Sequence, residues 1–258
     1  MSRLLRMALV LMLACPFAAG AVQVRAGGAV AHAGILDLNA GARLSDAALA
    51  ARPLPQAYML GAAWLRPGLD VDQRRLKAGV LFDLASLQSQ ARADGRDALA
   101  AAAGALREWI RALPVTGRQV PALLDPRVVE VNASQNHLLA PGDRLYYPLR
   151  PVTVRVVGAV RQPCTLPLAP LQDARLYLAS CAVSAAADPD EIYVIEPDGR
   201  TFVQKIALWN RGKPRALAPG ALIYVPLRAR AAGRIDATLN GDIAAFLATQ
   251  VLPGPGTE

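Results

Sequence analysis

A nine-residue segment occurs twice in this chain and constrains its fold more than any other feature. The copies are APGDRLYYP at residues 140–148 and APGALIYVP at residues 218–226. In each copy Pro-Gly predicts a turn, because proline restricts φ and glycine accepts the positive φ that often follows. The next residues favour a strand, and the closing proline cannot donate to a β-ladder. The repeat therefore predicts two copies of one small domain.

Two weaker matches lie upstream of these segments. VRAGGAV at residues 24–30 matches VRVVGAV at residues 154–160, and LSDAAL at residues 44–49 resembles LQDARL at residues 171–176. The spacing between the members of these upstream pairs is much wider than the spacing between the two nine-residue segments. The first copy should therefore carry about 50 extra residues between its first helix and its last strand.

Apolar residues recur at helical spacing where this insertion is expected, at about residues 72–113. They are Leu76, Val80, Leu84, Leu87 and Ala91, followed by Leu99, Ala103, Leu106, Ile110 and Leu113. Between the two sets, Gly95 suits a helix C-cap and Asp97 an N-cap. The pattern predicts an antiparallel helical hairpin whose apolar stripes face each other and a sheet.

The other elements follow the same order in both copies. The first copy has predicted strands at residues 22–30, 34–38 and 127–131, a strand or extended run at 58–65, and a helix at 45–51 with Ser45 as N-cap. The second has strands at 152–160, 165–168, 191–196, 200–208 and 221–225 and a helix at 170–180. This order is typical of a β-grasp domain. We predict an α+β fold with tandem β-grasp domains at residues 22–150 and 151–229.

Residues 1–21 have the pattern of a cleavable export signal. Arg3 and Arg6 precede an apolar run, and Ala-Gly-Ala at residues 19–21 suits cleavage. Lipid attachment at Cys15 is an alternative, although residues 12–14 form a poor lipobox. No later stretch has eighteen uninterrupted apolar residues, so we expect no transmembrane span in the mature chain and place it in the periplasm.

Charge and composition narrow the possible partners. The formal net charge is +8, or +6 without Arg3 and Arg6, and aromatic residues make up 5% of the chain. The arginines are scattered and aromatic content is low, so no nucleic-acid partner is expected. A solvated basic surface is one interpretation, and affinity for acidic glycans or anionic lipid headgroups is another.

The pattern of reactive residues predicts neither an enzyme nor a metal or cofactor site. The two histidines, His32 and His137, have no Cys, Asp or Glu at metal-ligand spacing. Nucleophile-elbow and phosphate-loop motifs do not occur. Cys164 and Cys181 flank the predicted helix of the second copy, and either a structural disulfide or two buried thiols would suit them.

Two further features are candidate sites. Arg118 follows Thr-Gly where the chain leaves the helical hairpin, so it would hold an anionic group in a cleft or bond nearby carbonyls structurally. Residues 230–258 form a predicted amphipathic helix and tail. The helix either packs on the second copy or docks on a partner, and its apolar face comprises Ile235, Leu239, Ile243, Phe246, Leu247 and Val251.

Several short motifs stand in an order that resembles the GfcC-like capsule-biosynthesis family. They are LPVTGR at 113–118, PGD at 141–143, VGAV at 157–160, PDG at 197–199, WN at 209–210 and YVP at 224–226. The resemblance implies a periplasmic, non-enzymatic component of capsule or exopolysaccharide export. It also implies two β-grasp domains similar to the SLBB-like domains of Wza-like outer-membrane exporters, a C-terminal amphipathic helix, and a pocket at Arg118.

Three functional hypotheses follow. The first is an accessory protein that contacts the outer-membrane polysaccharide export machinery. The second is a polysaccharide-binding module, which would need an exposed aromatic platform near Trp64, Tyr146 or Tyr147. The third is a polysaccharide-modifying enzyme, which would need a pair of carboxylates near Arg118.

Overall fold

The computed structural model describes residues 21–253, so the predicted export signal, apart from Ala21, lies outside the described residues. The described chain is α+β with two mixed sheets, which confirms the predicted fold class. The strands are β1 Val22–Gly28, β2 Gly34–Leu38, β3 Ala63–Leu65, β4 Arg144–Tyr147, β5 Thr153–Gly158, β6 Cys164–Pro167, β7 Glu191–Ile195, β8 Thr201–Lys205 and β9 Leu222–Val225. The α-helices are α1 Leu44–Ala51, α2 Asp70–Ala93, α3 Asp97–Ala112, α4 Pro126–Val131, α5 Ala229–Ala232 and α6 Leu239–Ala248. Short 3₁₀ helices cover Met59–Gly61, Pro67–Leu69 and Ala174–Ser180.

The two sheets share the order of four strands, and the second sheet has β8 as a fifth strand at its edge. The first has the order β2-β1-β4-β3 and the second β6-β5-β9-β7-β8. In each, a parallel central pair, β1 with β4 or β5 with β9, is flanked by antiparallel strands. The nine-residue segments supply β4 and β9, as the repeat predicts.

Matched bridges in the two copies show where the insertion lies. Val30 pairs with Pro53 as Val160 pairs with Val183, and Arg43 pairs with Leu138 as Asp173 pairs with Ala216. Equivalent residues are therefore separated by one constant spacing from Val30 to Pro53, but Leu138 and Ala216 are about 50 residues closer together in sequence. The first copy thus has about 50 extra residues between Pro53 and Leu138, in agreement with the expected insertion. The match of LSDAAL with LQDARL is out of register, because α1 corresponds to the 3₁₀ helix that begins at Ala174 and not at Leu171.

The insertion lies between two paired residues at the edge of the first sheet. Leu65 of β3 pairs with Arg118, just as Ile195 of β7 pairs with Thr201 of β8. Residues 66–117 therefore occupy the place of residues 196–200, the β7–β8 turn. The predicted helical hairpin is confirmed as α2 and α3, with Gly95 at φ +66° between them. Asp97 is the first helical residue, and Arg96 holds the N-cap position.

Residues 21–253 form two hydrophobic cores, and the hairpin belongs to the second. The first core joins α1 to the first sheet through residues such as Leu44, Val24 and Leu145. The second joins the second sheet to α2, α3 and α6. An insertion in the first copy therefore completes the core of the second copy. The domain limits at residues 150 and 229 stay predictions.

A glycine at the same place in each copy allows the parallel strands to approach closely. Gly28 has φ +83° and Gly158 φ +101°. A Cβ atom there would lie 2.1 Å from the Tyr147 carbonyl oxygen in the first copy and 2.2 Å from that of Val225 in the second. Only glycine fits this position, which explains the shared Gly-Ala-Val sequence.

Three predicted elements are wrong in type or start. Residues 127–131 form helix α4 and not a strand, because Pro126 occupies the first turn and the Asp125 carboxylate accepts a hydrogen bond from the Arg127 N–H at 3.0 Å. The predicted strand or extended run at 58–65 begins with a 3₁₀ helix at Met59–Gly61, and only Ala63–Leu65 form a strand. Ser45 is not an N-cap, since α1 starts at Leu44 and its first turn is closed by Asp46, which accepts from the Arg43 N–H at 2.7 Å.

Candidate functional site

The backbone at Arg118 is fixed by the first turn of the helical hairpin. The Gln73 side chain of α2 accepts from the Gly117 N–H at 2.9 Å and donates to the Arg118 carbonyl at 2.9 Å. Gly117 has φ +68°, and a Cβ atom there would lie 2.5 Å from the Arg66 carbonyl oxygen. These contacts hold Arg118 where the hairpin rejoins the first sheet, as its sequence position predicts.

The Arg118 side chain is 3% exposed and reaches into the second copy. Its Nη1 donates to the carbonyl oxygens of Gln250 at 2.7 Å and Ala248 at 3.4 Å, and Nη2 donates to that of Pro197 at 2.5 Å. It therefore joins the β7–β8 turn to the C-terminal end of α6, where carbonyls favour a cation. These contacts agree with the alternative in which Arg118 bonds nearby carbonyls structurally.

Burial affects the ionisation of the groups around Arg118. It lowers the pKa of Arg118 to about 10, while the Asp198 carboxylate acts in the opposite direction. Burial also raises the pKa of the nearby Glu196 carboxyl. Arg118 stays protonated at neutral pH, and its Nε has no hydrogen-bond partner within residues 21–253.

A cavity of about 130 Å³ adjoins the Arg118 guanidinium and is lined by Thr153, Arg155, Glu196 and Leu252, among others. Small-molecule sites usually occupy about 300–1,000 Å³, so this space suits a small anionic group and not a sugar ring. A ligand-binding role for Arg118 stays a prediction.

A larger cavity of about 410 Å³ lies on the first sheet, on the face directed away from α1. We call this the open face and define it by Arg25, Leu65, Arg144 and Tyr146. Tyr146 is half-buried, and its hydroxyl has no hydrogen-bond partner in the described chain. The chain segment at Val251 and Leu252 lines both this cavity and the one at Arg118.

The other predicted aromatic residues lie in the first core. Trp64 and Tyr147 are fully buried. The Trp64 indole N–H donates to the Asp143 carboxylate at 3.0 Å, and the Tyr147 hydroxyl donates to the Leu124 carbonyl at 3.1 Å. Their polar groups are satisfied internally, so neither forms the exposed platform that a glycan-binding module needs. Tyr146, on the opposite side of β4, is the predicted aromatic residue that reaches solvent.

An exposed aromatic residue that the sequence reasoning missed lies after β8. Trp209 is 78% exposed, and its indole N–H donates to the Asp190 carboxylate at 3.2 Å. The adjacent Asn210 side chain donates to the Asp190 carbonyl at 3.4 Å. The signal available in the sequence was a tryptophan within a polar connecting segment, Trp-Asn-Arg-Gly, where burial is unusual.

The apolar face of the C-terminal helix is covered by the chain itself. Leu239, Ile243, Phe246 and Leu247 are buried among α2 and the second sheet, while Ile235 and Val251 at the two ends are half-buried. This arrangement agrees with the alternative in which the C-terminal helix packs on the second copy. Docking on a partner through the same face stays a prediction, and it would require α6 to leave the second core.

Within α6, a buried asparagine links the helix to the second sheet. Asn240 accepts from the Tyr224 hydroxyl at 3.0 Å and from the Leu227 N–H at 3.2 Å, and it donates to the Leu227 carbonyl at 2.7 Å. A buried amide with three good partners fixes one position of the helix on the sheet.

Cys164 and Cys181 are joined by a disulfide. The bond connects β6 to the residue that follows the 3₁₀ helix Ala174–Ser180, and so it closes a loop around that helix. It occupies the place of Gly34 and Ala51 in the first copy, which has a regular α-helix between them.

Residues 21–253 contain no group of three or more His, Cys, Asp or Glu side chains placed to hold a metal ion. Over the same range, none of the helices combines the length and the apolar composition needed to cross a membrane.

Comparisons with known proteins cover both halves of the chain. Residues 18–149 match the family described as capsule biosynthesis GfcC, N-terminal, and residues 162–252 match its C-terminal counterpart. YjbG, an uncharacterized protein of Escherichia coli (strain K12), is 34% identical over 190 residues, which are 72% of this chain and 76% of YjbG. The chain therefore belongs to the GfcC capsule biosynthesis family.

Proposed function

We propose that the protein is a periplasmic, non-enzymatic accessory component of capsule or exopolysaccharide assembly and export. Family membership supplies the pathway class. The observation that supports the accessory role is the open face, which carries a cavity of its own. The equivalent face of the second sheet is covered by α6.

The charges on the open face are arranged for contact with an acidic partner. Arg25 and Arg144 are exposed and lie directly opposite each other on the parallel strands β1 and β4. Neither side chain forms an ion pair within residues 21–253. Like charges in directly opposed positions destabilise a sheet, and an acidic partner segment would remove that repulsion.

The partner that this proposal names is an acidic segment of a protein in the outer-membrane polysaccharide export machinery. Leu65 and Tyr146 supply apolar area beside the arginines, and Val251 and Leu252 extend it. A charged rim around an apolar centre is the usual composition of a protein interface. Export to the periplasm also accounts for the disulfide, since such bonds persist in oxidising compartments.

The test is a double charge reversal, Arg25→Glu with Arg144→Glu, expressed in cells that make the polysaccharide. We expect the variant to lose retention of its envelope partner in a pull-down and to lower the amount of exported polysaccharide. The matched control reverses Arg74 and Arg127, which are exposed and do not line the cavity of the open face. Normal export and unchanged retention in the open-face variant would contradict the proposal.

A second candidate function, a polysaccharide-binding module, is favoured by Trp209. An exposed indole held by a carboxylate offers a flat apolar surface for a sugar ring. Purified capsular polysaccharide should then change the fluorescence of the protein, and Trp209→Ala should abolish that change. Trp109 is half-buried, and Trp109→Phe is the control that keeps Trp209 in place.

A further inference from the structure

A cavity of about 490 Å³ lies between the α2–α3 turn and the segment that follows β9. Its lining contains four arginines, and we call it the arginine cavity: Arg96, Arg228, Arg230 and Arg234. Leu99, Ala186 and Ala231 are buried and form an apolar floor. The cavity shares no lining residue with the Arg118 cavity or the open face.

The positive charge in this cavity is largely uncompensated. The guanidinium groups of Arg228, Arg230 and Arg234 have no ion-pair partner in the part of the chain that the structure describes. Arg96 pairs with Asp94 at 2.5 Å, yet its Nε is buried without a partner. Of the described lining residues, only Asp97 is acidic. Arg228, Arg230 and Arg234 are therefore three cations, unpaired within the described residues, around one concave space, and a bound anion would reduce their mutual repulsion.

The backbone that carries three of these arginines is anchored. The Arg228 N–H donates to the Ala186 carbonyl at 3.0 Å, and the Ala229 N–H donates to the Asp188 carboxylate at 2.8 Å. Asp188 is 7% exposed, so this attachment is shielded from solvent. The arginines therefore project from a fixed turn, which lowers the entropy cost of binding.

The first turn of α3 adds a second source of positive potential. This 16-residue helix begins at Asp97. The backbone N–H groups of Asp97 and Ala98, both in the cavity lining, donate no hydrogen bond within the described residues. A helix N-terminus carries partial positive charge and free donors, which reinforces the attraction of the arginines for an oxyanion.

We propose that the arginine cavity binds the carboxylate of an acidic sugar residue in the polysaccharide that this family handles. The inference rests on the proposed function, which supplies the class of polymer. Guanidinium groups bind carboxylates through two parallel hydrogen bonds. The volume falls within the range of about 300–1,000 Å³ that is usual for small-molecule sites, and a concave site suits a sugar better than a flat lipid surface.

The test measures binding of tri-galacturonic acid to the purified full chain by calorimetry, with a neutral galactose trisaccharide as the comparison ligand. We expect binding of the acidic trisaccharide, weakened by salt, and no binding of the neutral one. Arg230→Ala with Arg234→Ala should weaken binding by about tenfold or more. Both side chains are exposed, so the folded state should be retained.

Two controls make the result specific. Arg74→Ala with Arg127→Ala removes the same charge from exposed sites elsewhere and should leave affinity within about twofold. Arg230→Lys with Arg234→Lys keeps the charge without the planar fork and should bind with intermediate affinity.

Several outcomes would overturn the proposal. These are no binding of the acidic trisaccharide, equal weakening by both alanine pairs, or equal affinity for the neutral sugar. A further one is an Arg230→Ala, Arg234→Ala variant that loses affinity only for phosphatidylglycerol-containing vesicles, which would assign the cavity to lipid. None of these results bears on the open-face pull-down, so the accessory role would fail or stand separately.

Discussion

The two sheets of this protein share a strand order and the register of their parallel pair, but they differ in the fate of one face. In the second sheet, Tyr224 lies on that face and is fully buried, and its hydroxyl donates to Asn240 of α6. In the first sheet the equivalent residue is Tyr146, which is half-buried and whose hydroxyl has no partner in the described chain. One strand sequence thus serves both a covered surface and an open one.

The covering elements of the second sheet come from outside the repeat. Helix α6 follows the second copy in the chain, and the α2–α3 hairpin is an insertion in the first copy. Both pack in the second core, and the first sheet keeps an open face beside them. Added elements that cover only one copy of a duplicated sheet therefore leave the equivalent face of the other copy exposed.

Among variants that test the difference between the covered and the open face, Phe246→Ala should have the largest effect on stability. Phe246 is fully buried in the packing of α6. Its loss should lower the free energy of unfolding by about 3–5 kcal/mol, measured by urea denaturation. Tyr146→Ala on the open face should cost clearly less, because its ring is already partly in water. Equal losses for the two variants would mean that the open face is as well packed as the covered one.

Removal of the link between the copies should have the next largest effect. Arg118→Ala leaves three backbone carbonyls without their charged donor, and we expect a loss of about 3 kcal/mol in unfolding free energy. Arg155→Ala changes an exposed arginine in the same cavity and should be nearly neutral. If Arg118→Ala leaves the thermal midpoint unchanged, its structural role is refuted and a ligand-binding role gains weight.

The disulfide distinguishes the helical region of the second copy from that of the first. Replacing Cys164 and Cys181 by serine should cost about 3 kcal/mol, because the bond restricts the unfolded chain over a sequence separation of 17 residues. Reducing agent should lower the unfolding free energy of the parent protein by a similar amount, and so lower its thermal midpoint. It should leave the serine variant unaffected. A parent protein insensitive to reduction would show that the 3₁₀ helix does not need the bond.

Leu252 connects the two copies, and Gly61 makes room for it. A Cβ atom on Gly61 would lie 2.6 Å from Leu252 Cδ1 and 2.8 Å from Tyr58 Cδ1. We therefore expect Gly61→Ala to cost about 1–3 kcal/mol through overpacking and to increase proteolysis of the C-terminal segment. Gly68, whose Cβ position is open, provides the control Gly68→Ala. Equal stability and equal proteolysis of the two variants would contradict the packing of Leu252 against Gly61.

The smallest and most direct comparison is Tyr224→Phe against Tyr146→Phe. The first change removes a buried hydrogen bond and should cost about 1 kcal/mol. The second removes a buried hydroxyl that has no partner in the described chain, so it should be neutral or slightly stabilising. Denaturation midpoints of the two variants measure the difference. The reverse order would mean that Tyr146 has a partner that the chain itself does not supply.

The accuracy of the sequence predictions followed the range of the interactions involved. Periodic apolar residues were enough for α2 and α3, because helical spacing is a local property. The Val-rich segment at 127–131 was misread, because β-branched residues favour strands while the Asp125-Pro126 start that sets α4 is a short capping signal. Trp64 was a candidate for an exposed aromatic platform, because no residue near it in sequence indicates that the Asp143 carboxylate accepts from its indole N–H.

The sequence by itself determined the repeat, the size of the insertion and the apolar faces of α2, α3 and α6, because these depend on turns, spacing and hydrophobic period. Only the tertiary structure decided what each face covers and what Arg118 binds. Hydrophobic burial is non-directional, so an apolar stripe requires a cover without naming it. The acceptors of Arg118 are backbone carbonyls, which every residue has, and their identity depends entirely on which distant segments the fold brings together.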